Sequence, residues 1–264
     1  MTSSPLGSLA PFGGYRFERI ENVIVLSAVA STNEVGRDLA GRMLAEQNDL
    51  LPTVIVGRKQ LAGRGRAGRR WESPEGSLSV SLVLPWPEGP ERIRLPLAIA
   101  IPLVARLAET FGVQLKLKWP NDLVFEGRKL GGILIETRQG EDGDGGAIVG
   151  IGLNASTERA ELTRLGLTSA SSLLMAGAPA ATLAADAALF ALLVALDGAI
   201  GEGPTDIVAA FAAVSAHNPG EPIAVHDGGR RLEGSYAGVT ADGFLRVTTA
   251  TGEEVVLSGE VESF

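Results

Sequence analysis

VQLKLKWPNDLVFEGRKLGGILIETRQGEDGDGGAIVGIGLN, from Val113 to Asn154, is the stretch on which the fold turns. Val113, Leu115 and Leu117 alternate with polar residues, as a strand with one buried face requires, and the turn WPND (Trp119 to Asp122) follows at once. LVFEG, LGGILIET (Leu130 to Thr137) and AIVGIGLN (Ala147 to Asn154) repeat the apolar, β-branched pattern. Strand therefore follows strand with only turns between. EDGDGG (Glu141 to Gly146) reads as a solvated, acidic hairpin loop.

Two more strands precede this block: TVIVG (Thr53 to Gly57) and SLSVSLVL (Ser77 to Leu84), whose alternation predicts one buried face. Helical spacing appears twice. One helix starts at Ser31 or Thr32, either able to cap it, and runs to about Glu46 with Val35, Leu39 and Met43 along one face. The other spans Arg92 to Phe111, entered near Pro96 and disturbed at Pro102, and covers the sheet. From Glu158 to about Ala216 the chain is alanine-rich and helical, with Leu183, Leu189 and Leu193 as core candidates. After Asn218-Pro219-Gly220, the segments PIAVH, RLEGSYAGV, FLRVTT and EVVLSG alternate between glycine turns, the pattern of a small β-barrel. The expected organisation is a loose arm over residues 1–14, a main domain over 15–218 and a small β domain over 219–264.

With 264 residues, 45% of them hydrophobic, the chain can bury a sizeable core. It has no cysteine and only two histidines, His217 and His226, which argues against a disulfide frame or a zinc enzyme. A net charge of −8 disfavours a nucleic-acid partner. MTSSPLGSLAPFGG lacks the features of a signal peptide, and LPLAIAIPLVA (Leu95 to Ala105) is too short to span a bilayer, so a cytoplasmic protein with no membrane partner is expected.

Within this acidic chain, GRGRAGR (Gly63 to Arg69) concentrates guanidinium groups in a glycine-rich loop between two strands. Glycine admits positive φ and close backbone approach, and each guanidinium offers a fork of donors to phosphate or carboxylate, so the loop reads as an anion clamp. STN (Ser31 to Asn33) at a helix start presents hydroxyls and free N–H groups. Gln60 can donate to and accept from a neutral, amide-like ligand. Lys118 ends a strand just before the rigid WPND turn, and a fixed ammonium there can hold a carboxylate beside a phosphate. Arg128 and Lys129 read as solvated hairpin charges. Gly150 and Gly152 thin one strand, either for a bulge or for a ligand lying on the backbone.

STNE, QLAGRGRAGRR followed by Trp71, KWPNDL, RKLGGILIE and VGIGLN occur in this order, and together they resemble the biotin protein ligase family from about residue 27 to 156. The resemblance implies an α+β fold, a mixed or antiparallel sheet packed on helices as in class II synthetases, with a small SH3-like β-barrel at the C-terminus. It implies biotin and ATP as substrates, Mg²⁺ beside the polyphosphate with unknown ligands, and a biotin carboxyl carrier protein as acceptor. Ser31, Thr32, Asn33, Gln60, Gly63, Arg64, Gly65, Arg66 and Lys118 would bind biotin and its adenylate, with Lys118 and Arg66 the catalytic cations. Trp71, Asn121 and Asn154 would lie near the nucleotide. The same analogy implies the monofunctional type without an N-terminal DNA-binding domain, a monomer or weak homodimer, and an acceptor surface on an exposed strand edge of the main sheet.

Overall fold

The structure, a computed structural model, describes residues 15–263 apart from 87, 88, 90, 141–144 and 202. The expected arm over 1–14 and most of the acidic hairpin loop lie outside the described residues.

The first half of the chain supplies β1 (Asn22–Leu26), α1 (Thr32–Ala45), β2 (Thr53–Gly57), the two-residue strands β3 (Gly63–Arg64) and β4 (Arg70–Trp71), β5 (Ser77–Pro85) and α2 (Glu91–Phe111). The strand-rich block becomes β6 (Lys116–Lys118), β7 (Asp122–Phe125), β8 (Arg128–Gln139) and β9 (Gly145–Asn154). Then come α3 (Arg159–Arg164), α4 (Ala180–Leu183), α5 (Ala185–Ala199) and α6 (Ile207–Val214). The chain ends in β10 (Pro222–Asp227), β11 (Arg230–Val239), β12 (Leu245–Thr249), β13 (Gly252–Val256) and β14 (Glu260–Ser263).

The main sheet has seven strands in the order β1-β2-β5-β9-β8-β7-β6, and the C-terminal sheet has five in the order β13-β12-β11-β10-β14. Only β1 and β2 pair in parallel; the other main-sheet neighbours are antiparallel, and of these β6–β7, β7–β8 and β8–β9 are consecutive strands joined by short connections. The turn between β7 and β8 uses Glu126 and Gly127, both at positive φ, which matches the twist of a two-residue hairpin. The α+β class and mixed sheet are thus as expected.

One face of the sheet carries the apolar core. Val80, Leu82 and Leu84 of β5 and Val149, Ile151 and Leu153 of β9 pack with Leu103, Leu107 and Phe111 of α2 and with Leu189, Leu192 and Leu193 of α5. The other face holds α1 over a smaller cluster of Ala40, Ile55, Val83 and Ile148. Both faces of β5 are consequently buried, where the alternation suggested only one: Ser79 and Ser81 are under 5% exposed. The alternation there separates a polar buried face from an apolar buried face.

Helix α2 runs through both Pro96 and Pro102, because its buried stripe from Leu97 to Phe111 outweighs the lost backbone bonds. The strand expected from Val113 shortens to Lys116–Lys118, since the Val113 N–H still donates to Ala108 of the preceding helix. Among the described residues no helix is long and apolar enough to cross a membrane.

Candidate active site

The floor of the site is the half of the sheet that α1 leaves uncovered. Pairing puts Gly152 beside Ser79 and Gly132, and Gly150 beside Ser81 and Leu134, all on the α1 face. At Ser79, Ser81, Gly132, Gly150 and Gly152 no side chain larger than serine rises from this surface, and two neighbours use the space. A Cβ on Gly150 would stand 2.2 Å from Asn33 Oδ1, and one on Gly152 would stand 2.4 Å from the Trp71 ring. The glycines therefore let the start of α1 and the β4 tryptophan close on the backbone of β9.

A cavity of about 150 Å³ results, walled by Ser31, Thr32 and Asn33 at the N-terminus of α1, by Gln60, and by the loop from Arg64 to Trp71. Asn121, Lys129, Gly132, Ile133 and Leu134 close its far side. Arg64, Arg66, Arg69, Arg70 and Lys129 line it, while the carboxylates paired with four of them, Glu34 and Glu136 with Arg64, Glu260 with Arg69, Glu72 with Arg70 and Asp122 with Lys129, do not.

The two ends differ. At the α1 end a neutral network lies beside Arg64, which pairs with Glu34 of α1 at 3.7 Å: the Thr32 N–H donates to Gln60 Oε1 at 3.0 Å, Gln60 Nε2 donates to Ser73 Oγ at 3.3 Å, and Ser73 and Ser79 hydroxyls lie 3.3 Å apart. Ser31 takes the N-cap position with extended backbone, yet its side chain makes no cap bond. At the other end Lys129 Nζ pairs with Asp122 at 2.6 Å and stands 5.8 Å from the centre of the Trp71 ring. Arg66 donates to Asn121 Oδ1 at 3.4 Å and to the Gly259 carbonyl of the C-terminal sheet at 3.2 Å, while Asn121 Nδ2 is anchored on the Ile133 carbonyl at 2.7 Å. Arg69 pairs with Glu260, so the C-terminal domain holds the loop from outside. Desolvation pushes the Arg66 guanidinium below its ordinary range, partly offset by Asp122.

Glycine's conformational freedom matters in this loop only at Gly68, at φ +73 beside Ala67 at φ +54. Gly63 serves close packing instead, since a Cβ there would lie 2.5 Å from Gln60 Nε2 and 2.6 Å from the Trp71 carbonyl.

Residues 28–154 match the model of the biotin/lipoate A/B protein ligase family, and residues 220–262 match the biotin protein ligase C-terminal domain. A biotin–[acetyl-CoA-carboxylase] ligase of Paracoccus denitrificans is 33% identical over 78% of this chain and 88% of its own length. The chain belongs to the biotin protein ligase family. Another relative, the bifunctional ligase/repressor BirA of Bacillus subtilis, is 35% identical over 52% of this chain, a match that spans only 42% of that longer protein. Among solved structures, the biotin protein ligase of Aquifex aeolicus in complex with biotin and ATP superposes with a TM-score of 0.67 at 26% identity, covering 92% of this chain and 98% of that one.

Of the residues that the resemblance to this ligase family singles out, Ser31, Thr32, Asn33, Gln60, Arg64, Gly65, Arg66, Trp71 and Asn121 converge on the cavity, and Gly63 supports it from beneath. Two do not converge. Lys118 lies opposite Asp122 in the β6–β7 pair and does not line the cavity; its charge acts instead on Asp122, Lys129, Glu262 and His217, at the junction with the C-terminal sheet. Burial lowers the Lys118 ammonium below its ordinary range, and no hydrogen bond or ion pair reaches it among the described residues. Asn154 is buried at the end of β9 and donates to the Ser171 carbonyl at 3.0 Å, propping the loop after α3. Lys129 was read as a solvated charge, yet it is the lysine in the cavity wall. The tight β7–β8 hairpin turns it back over Trp71, and only strand register carries that information.

Proposed function

We propose that this protein is an ATP-dependent biotin–protein ligase acting on a biotin carboxyl carrier protein. The observation that carries the reading is the cavity lining, in which the hydrogen-bonding Ser31, Thr32, Asn33 and Gln60 meet five cationic side chains, Arg64, Arg66, Arg69, Arg70 and Lys129. A cyclic urea suits the first group, and a carboxylate beside a polyphosphate suits the second, because two anions meet only where fixed cations offset their repulsion. In the first step a biotin carboxylate oxygen attacks the α-phosphorus of ATP and pyrophosphate leaves. In the second the neutral amine of a carrier lysine attacks the acyl carbon, and AMP departs with the bonding pair.

Ser31, Thr32 and Gln60 would hold the ureido ring, and Arg64 and Arg66 the carboxylate and phosphate oxygens, with Asn121 bracing Arg66. The lysine between carboxylate and phosphate is assigned to Lys129, because it lines the cavity and Lys118 does not. Trp71 would flank the adenylate. Groups of three or more His, Asp or Glu side chains suited to a metal are absent among the described residues, and Mg²⁺ would travel with the phosphates of ATP, with Asp122 the nearest carboxylate to the Lys129 end. Residues 15–218 form the chemical unit in this reading, and 219–264 the unit that clasps the arginine loop. The carrier would dock along β8, which β7 pairs only as far as Gly132; among the described residues no strand pairs with the edge from Leu134 to Gln139 on that side. ATP and a carboxylase carrier as substrates assign the protein to the cytoplasm.

The test is pyrophosphate release from ATP with biotin or lipoate as the acid, using wild type, Lys129→Ala and Lys118→Ala. Release with biotin is expected, with a loss on the order of 10²–10³-fold for Lys129→Ala and a smaller one for Lys118→Ala, the scale of one preorganised cationic or donor group. Release with lipoate alone would move the assignment to the sister activity, and no release with either acid would refute ligation.

A further inference from the structure

The four arginines of the cavity loop differ in what holds them. Arg66 donates to Asn121 and to the Gly259 carbonyl, Arg69 to the Arg66 carbonyl and Glu260, and Arg70 to the Leu61 carbonyl. Arg64 lines the cavity with them, yet its guanidinium makes no hydrogen bond among the described residues. Its partners are charges: Glu34 of α1 at 3.7 Å and Glu136 of β8 at 4.0 Å. We infer that Glu34 and Glu136 are positioning residues for Arg64, which hold it at the cavity wall by charge and leave its N–H donors free for an anionic group of the ligand. The inference rests on the biotin reading above, since it concerns one of the two arginines assigned there to the carboxylate and phosphate oxygens.

Four side chains close a square. Arg37 stands 3.4 Å from Glu136 Oε1 and 4.0 Å from Glu34 Oε1, the same two oxygens that Arg64 faces, so each carboxylate lies between two arginines and the four charges cancel. Three corners belong to the frame of the main domain. Glu34 and Arg37 are three residues apart on α1, and Glu136 accepts from the buried Asn33 amide at 2.8 Å. None of these three lines the cavity, and Arg64 alone belongs to the loop.

Strand pairing explains why Arg64 needs holding. The β3–β4 ladder sets Arg64 directly opposite Arg70, and like charges at such a pair repel. Glu72 draws Arg70 at 3.0 Å, while Glu34 and Glu136 draw Arg64 toward α1 and β8, so the two guanidinium groups part. A hydrogen-bonded carboxylate would occupy donors of the guanidinium; ion pairs at 3.7 and 4.0 Å lie beyond hydrogen-bond reach and occupy none. An arriving carboxylate or phosphate oxygen therefore meets donors that need no release. The four side chains are 23–47% exposed, so solvent screens the square and the effect is a modest one.

The experiment is equilibrium binding to the full chain, without ATP, of biotin and of biotinamide, in which a neutral amide replaces the carboxylate. Glu34→Asp and Glu136→Asp keep each charge and shorten its reach by one carbon, so the ratio of the two affinities reports position and not net charge. Wild type is expected to prefer biotin. Glu34→Asp should cut that preference about 2–5-fold, the scale of an exposed ion pair, with biotinamide binding unmoved. Glu136→Asp also loosens Asn33, so it should weaken both ligands and cut the ratio as well. In an Arg64→Met background neither substitution should move the ratio. A ratio unchanged in both variants would overturn the inference and leave the ligase reading intact. A ratio that still shifts without Arg64 would overturn it too, because the carboxylates would then act through another cation. So would a wild type that binds biotin no better than biotinamide. Failure of wild type to bind biotin at all would remove the substrate reading, and this inference with it.

Discussion

Alternate residues of β5 and β9 build two regions that differ in every respect except their backbone. On one face Val80, Leu82, Leu84, Val149, Ile151 and Leu153 are under 10% exposed and packed against helices; on the other Ser79, Ser81, Gly150 and Gly152 make a thin, polar floor. The apolar face gains its free energy on folding. The polar face holds surface and hydrogen-bonding capacity in reserve for a ligand. A period of two lets one pair of strands do both, because neighbours in sequence never share a face. The comparison predicts that changes on the core face alter stability and leave affinity alone, and that changes on the floor do the reverse.

The largest effect should come from Leu82→Ala, which empties a fully buried site between sheet and helices. A loss of about 2–5 kcal/mol in urea unfolding is expected, with biotin affinity of the folded fraction unchanged. A matching loss of affinity would mean that the two faces are coupled.

Asp197 sharpens the contrast, as a buried polar group on the core side. Its carboxylate accepts the N–H groups of Glu18, Arg19 and Ile20 at 2.7–2.8 Å and ties the segment before β1 to α5. Asp197→Ala should cost roughly 1.5–3 kcal/mol, the range for hydrogen bonds to a charged group, again without effect on biotin binding. Titration of affinity against stability in this variant checks it.

A smaller effect is expected at the junction of the two sheets. His217 is 6% exposed, no hydrogen bond closes on either ring nitrogen among the described residues, Glu221 standing 3.6 Å from Nδ1, and burial holds its pKa below the ordinary histidine range against the opposing pull of that carboxylate. Below 6.5 the unfolded chain binds a proton that the folded one does not, so stability should be full above 6.5 and fall as the pH drops beneath it. His217→Gln should flatten that part of the profile. Urea midpoints on either side of 6.5 would show it, and an unchanged slope would assign the acid sensitivity to other groups.

Much of this was legible in the residues. The strand block from Val113 to Asn154 declared itself because alternation and turn chemistry agree there, and the helix at Ser31 because its capping residue and apolar spacing coincide. Most of the arginine loop, with Gln60 and STN, converged as the motif order implied. What stayed hidden depends on register. Lys118 and Lys129 are both lysines of strand ends, and only the hairpin through Glu126 and Gly127 determines which one meets Trp71. Ser81 looked like half of a simple alternation until pairing set it, with Glu136, around Asn33. β14 was not anticipated because its run is short, yet it delivers Glu260 to Arg69.

The central claim is that the floor is kept thin for a ligand. Gly152→Ala tests it most directly, because the added methyl would drive the Trp71 ring off the strand and into the cavity. A loss of biotin affinity of about 10–100-fold is expected as the displaced ring takes the ligand's space, together with a loss of up to about 1–3 kcal/mol in urea unfolding from overpacking. Undiminished biotin binding by a folded Gly152→Ala protein would contradict it.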